Sequence, residues 1–147
     1  MKLLRSISAA CLILFSSACS APIDPAAPPF RAIAFDDAAA EAARDGKMVF
    51  LDFYATWCPP CRRLDAVTWK DPDVVAWLEA NAVPLKIDAE RNPGLAERFM
   101  VEAYPTLVFL DPAGREVLRV LGFRDPASFL AAAKTARANA TPATPTG

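Results

Sequence analysis

The sequence predicts an α/β domain built on a mixed central sheet with helices on both faces. Three observations carry that expectation. Apolar runs rich in β-formers recur at 48–55, 83–88, 106–111 and 115–123. Several of the stretches between them open on Asp-Pro or Asn-Pro, the composition of a helix start. The order is helix, strand, helix, helix, strand, helix, strand, strand, helix, with the last two strands joined as a hairpin, and it calls for a mixed sheet.

Each element has a local reason. Asp36 is expected to cap a first helix through DAAAEAARD, with Gly46 at its stop. MVFLDFYA (48–55) reads as a buried strand. A second helix is expected to start around Cys58 to Pro60, where proline suits a first helical turn. DPDVVAWLEANA (71–82) reads as a short helix entered through Asp71 and Pro72, and VPLKID (83–88) as the next strand. NPGLAERFMVEA (92–103) is expected to be a helix capped by Asn92 with Pro93 in its first turn. TLVFLD (106–111) is a strand, PAG a turn, REVLRVLGF (115–123) the hairpin partner, and DPASFLAAAKTARA (125–138) a closing helix.

The ends differ in composition. MKLLRSISAACLILFSSACSAP places Lys2 and Arg5 before an apolar run from Ile7 to Phe15 and then small residues, the layout of a secretory signal peptide over 1–20. The run is shorter than the roughly 20 apolar residues of a membrane span, although an uncleaved anchor is the alternative. SSAC, ending at Cys19, resembles a bacterial lipobox, which would make 1–18 a lipoprotein signal and Cys19 a lipid-carrying membrane tether. Ser16 departs from that pattern, so ordinary cleavage near Ser20 or Ala21 stays open. The Pro- and Ala-rich segment 21–29 reads as a linker, 30–138 as the folded domain and 139–147 as a disordered tail. Of 16 basic residues, the signal takes Lys2 and Arg5, leaving 14 against 17 acidic, a formal charge of −3 with no basic stripe to suit nucleic acid.

The chemistry concentrates in YATWCPPCRRL (54–64). With Cys11 and Cys19 in the signal region, Cys58 and Cys61 are the cysteines of the domain, and the 147-residue chain has no histidine. Two thiols fall short of the three or four protein ligands a zinc site needs. A disulfide closing so short a loop removes little unfolded-state entropy, so a staple is a weak reading. Redox exchange suits the spacing. Cys58 at a helix N-terminus is expected to be exposed and the more readily ionised thiol, and Cys61, one turn on, could attack a mixed disulfide formed by Cys58.

LDFYATWCPPC, KID and YPTLVFLD together resemble the thioredoxin superfamily over roughly residues 30 to 138, which implies a thioredoxin-like fold. Within it, FDDAAAEAARDGKMVFLDFYATWC followed by TWKDPDVVAWL is most similar to periplasmic domains such as the carboxy-terminal domain of the electron transporter DsbD. The resemblance implies Cys58 as attacking and Cys61 as resolving cysteine, a redox-active disulfide between them, and Trp57 as an aromatic shield. It implies a cis Pro105 facing the disulfide, with the backbone of Tyr104 free to pair with an extended substrate. Asp52 matches the buried acid that moves a proton to or from the resolving thiol, and an unpaired charge in an apolar strand needs such a reason. The lysine that accompanies this acid in thioredoxins falls near Pro84 here, and Lys86, two residues on along the same face, is the candidate substitute. Trp69, Trp77, Phe99 and Phe109 read as core, and Arg62 and Arg63 as a solvated helix face or a partner contact.

These readings imply an exported, periplasmic thiol–disulfide oxidoreductase that needs no bound cofactor or metal. It would act as a monomer on disulfides of other exported proteins and take electrons from a membrane donor of the DsbD type. A non-catalytic binding module and a disulfide-forming oxidase are the alternatives. Pro59 and Pro60 have no N–H to give a Cys58 thiolate, which leaves the amide of Cys61 and its thiol as the nearest donors. Modest thiolate stabilisation implies a potential nearer thioredoxin's, about −270 mV, than the roughly −120 mV of a strong oxidant.

Overall fold

The computed structural model describes residues 29–140. The signal region with Cys19, most of the linker and residues 141–147 of the tail lie outside the described residues. Five α-helices and four strands follow in the expected order: α1 (Phe35–Asp45), β1 (Met48–Tyr54), α2 (Pro59–Ala66), α3 (Pro72–Asn81), β2 (Ala82–Asp88), α4 (Pro93–Arg98), β3 (Thr106–Leu110), β4 (Glu116–Leu121) and α5 (Pro126–Asn139). The sheet order is β2-β1-β3-β4, with β1 and β2 parallel and the other two pairs antiparallel.

β1 runs through the middle, and alternation sends its side chains into two cores. Met48 and Phe50 join Leu64, Trp69, Leu78, Phe109 and Phe129 on one face. Val49, Leu51 and Phe53 join Ala38, Ala42, Ala96 and Phe99 on the other. Six of the strand's seven residues are buried because helices cover both faces, which is why MVFLDFY reads as a continuous apolar run and not an alternating one. Asp52 is even-numbered like Phe50, so its carboxylate enters the aromatic core and not the alanine-rich one.

Four details differ from the sequence reading. Asp36 is not the cap of α1: the cap position belongs to Ala34, with no side-chain cap bond, and Asp36 lies in the first turn, where its charge still favours the positive helix end. Gly46 does end the helix, in the left-handed conformation at φ 65°. α4 spans six residues in place of the expected twelve. Met100 takes φ 47°, and the amides of Val101 and Met100 bond back to the carbonyls of Ala96 and Glu97, a helix-ending motif that normally uses glycine. Asn92 stands before α4 without capping it; its amide donates instead to the Asp88 carbonyl at 2.9 Å. Finally, a 3-10 turn at Thr68–Lys70 follows α2 and seats Trp69 in the aromatic core. Trp77 packs against that core partly buried, and Phe99 and Phe109 are buried as expected.

Candidate active site

α2 begins where the sequence placed it. Cys58 is its N-cap, in extended conformation, and Pro59 and Pro60 fill the first turn. Cys58 and Cys61 form a disulfide. The Cys58 sulfur accepts from the amide of Cys61 at 3.3 Å, one of the two donors expected once two prolines remove the others. The expectation that Cys58 stands exposed is not met: it is 2 % exposed in the disulfide form, against 1 % for Cys61. Ala55, Tyr54 and Tyr104 pack around the pair and cover it.

The rim comes from two loops. Trp57 is 61 % exposed and meets the Tyr104 ring edge-on at 5.9 Å. Its indole N–H donates to Glu90 at 2.9 Å. The Tyr104–Pro105 peptide bond is cis, as the resemblance implied, and the carbonyl of Pro105 accepts from Gly122. Arg62 donates to the Thr56 carbonyl at 3.2 Å, and the Arg63 guanidinium stacks over Phe123. The two arginines are therefore tied to their own domain.

A second group is centred on Asp52. Asp52 is fully buried, and one of its oxygens, Oδ2, accepts from Lys86 Nζ at 2.8 Å and from the Trp69 indole at 3.0 Å. The other, Oδ1, has no hydrogen-bond partner. Lys86 sits directly across the β1–β2 ladder from Asp52, so it takes the place left by Pro84. Its ammonium also donates to Asp65 on α2 at 2.6 Å. Burial drives the Asp52 carboxyl above the usual range, against the opposing pull of Lys86. Burial alone would push the Lys86 ammonium down, but Asp52 and Asp65 outweigh it and hold it above the ordinary lysine value.

The structure thus joins Cys58 to Cys61 and Trp57 to Tyr104, and sets Asp52 apart in a carboxylate–lysine–carboxylate chain. Three members of the arrangement were not singled out for it in the sequence. Trp69 was read as core alone, yet its N–H serves Asp52. Asp65 stands four residues after Cys61, hence on the same side of α2, and that spacing was the available signal. Glu90 meets Trp57 across 33 residues of chain, which leaves no local signal.

Fold and site together define a thioredoxin-fold redox protein with a CXXC disulfide. The thioredoxin-like domain family matches residues 35–137, and the chain belongs to that family. It is 36 % identical over 106 residues to the thiol:disulfide interchange protein DsbD of Pseudoalteromonas atlantica, covering 68 % of this chain and 18 % of that protein. It is 41 % identical over 68 residues to Thioredoxin-1 of Drosophila melanogaster, covering 46 % and 61 %. The chain therefore spans under two thirds of each of these relatives. Among solved structures, a thioredoxin from Thermus thermophilus superposes with a TM-score of 0.64 at 32 % identity, covering 72 % of this chain and 85 % of that one.

Proposed function

We propose that this protein is an exported thiol–disulfide oxidoreductase that reduces disulfides in other exported proteins. The observation that carries the reading is the Cys58–Cys61 disulfide at the N-terminus of α2, with one amide on the Cys58 sulfur. In the reduced form the Cys58 thiolate attacks one sulfur of a substrate disulfide, a Cys58–substrate bond forms, and the other substrate sulfur leaves as thiolate. Cys61 gives its proton to the Asp52 carboxylate and attacks the Cys58 sulfur. The internal disulfide closes and the second substrate thiolate departs, so the substrate gains two electrons and the protein loses two. The bare Oδ1 of Asp52 supports this role, since it is the oxygen free to take a proton. Trp57 and Tyr104 form an aromatic rim, and the backbone before Pro105 suits pairing with an extended substrate segment.

Reduction rather than oxidation is supported by the weakly served Cys58 sulfur, because a strong oxidant stabilises its thiolate far more. No helix among the described residues is long and apolar enough to cross a membrane. Export rests on the signal-like residues 1–20 and the likeness to DsbD, with Cys19 the candidate lipid tether and a membrane carrier of the DsbD type the electron source.

Insulin reduction tests the reading. The full chain with dithiothreitol is expected to precipitate insulin B chain, and Cys58→Ser to abolish this. Insulin bound equally by both forms with no turnover in either would make the protein a binding module. A potential against glutathione near the oxidant value of about −120 mV would reverse the direction.

A further inference from the structure

The carboxylate–lysine–carboxylate chain reaches from the buried interior at Asp52 to the surface at Asp65. Exposure rises step by step: Asp52 0 %, Lys86 21 %, Asp65 46 % by side chain. Lys86 and Asp65 both line an open cleft of about 460 Å³ with Phe30, Arg62, Trp69 and Lys70. Asp65 is placed four residues after Cys61 on α2, and Lys86 opposite Asp52 on β2, so a helix and a strand converge on one ammonium. That ammonium lies nearer to Asp65, at 2.6 Å, than to Asp52, at 2.8 Å.

We infer that Asp65 is a positioning residue that sets the proton affinity of Asp52 by competing for the Lys86 ammonium. A lysine shared between two carboxylates neutralises each less than one it could serve alone. Asp65 thus draws Lys86 toward the cleft and leaves the Asp52 carboxylate undercompensated in its buried seat. The inference rests on the proton role given to Asp52 above, and adds to it the residue that tunes that role from the surface. The other groups around Lys86 do not compete for it. The rings of Tyr54 and Phe30 lie at 4.6 and 5.3 Å from its nitrogen, Trp69 donates to Asp52, and Arg62 and Lys70 on the cleft wall are cations. Cys58 and Cys61 do not titrate while joined.

The test is the titration of the Asp52 side-chain carboxyl, followed by carbon NMR on the oxidised full-length protein. This needs no substrate, so its outcome is separate from that of the insulin assay. Asp65→Asn is expected to lower the Asp52 midpoint by about one pH unit, because Lys86 is released to Asp52. Asp65→Glu is expected to keep the wild-type value. Lys86→Met, or Lys86→Gln if the former does not fold, is expected to raise the midpoint, and adding Asp65→Asn to it to lower it by clearly less than Asp65→Asn does alone, since only the weak direct repulsion from Asp65 is then left to lose. Asp65→Asn is a substitution at a half-exposed side chain, so it reads out in a folded protein. An unchanged or raised Asp52 midpoint in Asp65→Asn would overturn the inference. So would an equal fall with and without Lys86, since Asp65 would then act by its own charge.

Discussion

Two buried aspartates, Asp52 inside β1 and Asp111 just after β3, meet opposite fates. Asp111 is 1 % exposed and fully satisfied: Oδ1 accepts from the amides of Ala113 and Arg115, each at 3.0 Å, and Oδ2 from the Arg115 guanidinium at 2.9 and 2.6 Å. Burial alone would raise its carboxyl, but those backbone and guanidinium bonds hold it below the usual range. Asp52, equally buried, keeps one oxygen bare and is held above that range. The difference is one of backbone. Asp111 stands where the chain turns, so amides ahead of it are free to point back. Asp52 stands mid-strand, between β2 and β3, where the ladders consume the amides and side chains alone can answer it. One carboxylate organises a hairpin; the other is left able to change its protonation.

The largest expected effect is at the satisfied acid. Asp111→Ala removes the acceptor for four bonds and is expected to cost about 2 kcal/mol, read as a lower urea midpoint at unchanged slope. A loss no greater than that of an ordinary surface change would erase the contrast. Next comes Asp52→Asn, expected to be more stable than wild type by on the order of 1 kcal/mol at pH 8 and slower in resolving mixed disulfides. The two acids bend the stability profile in opposite senses. The folded Asp52 value lies above its unfolded one, so its contribution is intact in acid and lost as pH climbs through the folded value. Asp111 has the reverse order, so its contribution is present above the unfolded carboxylate range and lost as pH falls through the folded value. The gain from Asp52→Asn should therefore vanish in acid, and a gain constant with pH would assign it to packing. The smallest effect is expected from Arg115→Met, about 0.5 kcal/mol, because the backbone amides still serve Asp111 and the guanidinium is largely exposed. A loss as large as that of Asp111→Ala would shift the weight of the turn from amides to charge.

What could be read in advance follows the range of the forces involved. Asp71 caps α3 before a proline, as expected, because a cap and its amides lie within three residues, whereas Asp36 and Asn92, read by the same rule, do not cap. The Cys58 cap was visible for the same reason, with the Cys61 amide among its expected donors. The length of α4 was misread because nothing local ends it: FMVEA continues a helical composition, and a methionine takes the left-handed position that glycine would have announced. The covering of Cys58 was missed because Tyr104 reaches it from 46 positions away.

By itself the sequence determined the strand–helix order, the cysteine pair at a helix start and an acid inside an apolar strand. Each is set by periodicity, by proline's missing N–H or by the chemistry of one side chain. Only the tertiary structure decided what that acid became. Register laid Lys86 across from it, a 3-10 turn carried the Trp69 indole to the same oxygen, and α2 brought Asp65 to the far side of the lysine. Proton affinity in a protein interior depends on distances between groups remote in sequence, and the packing of helix on sheet sets those distances.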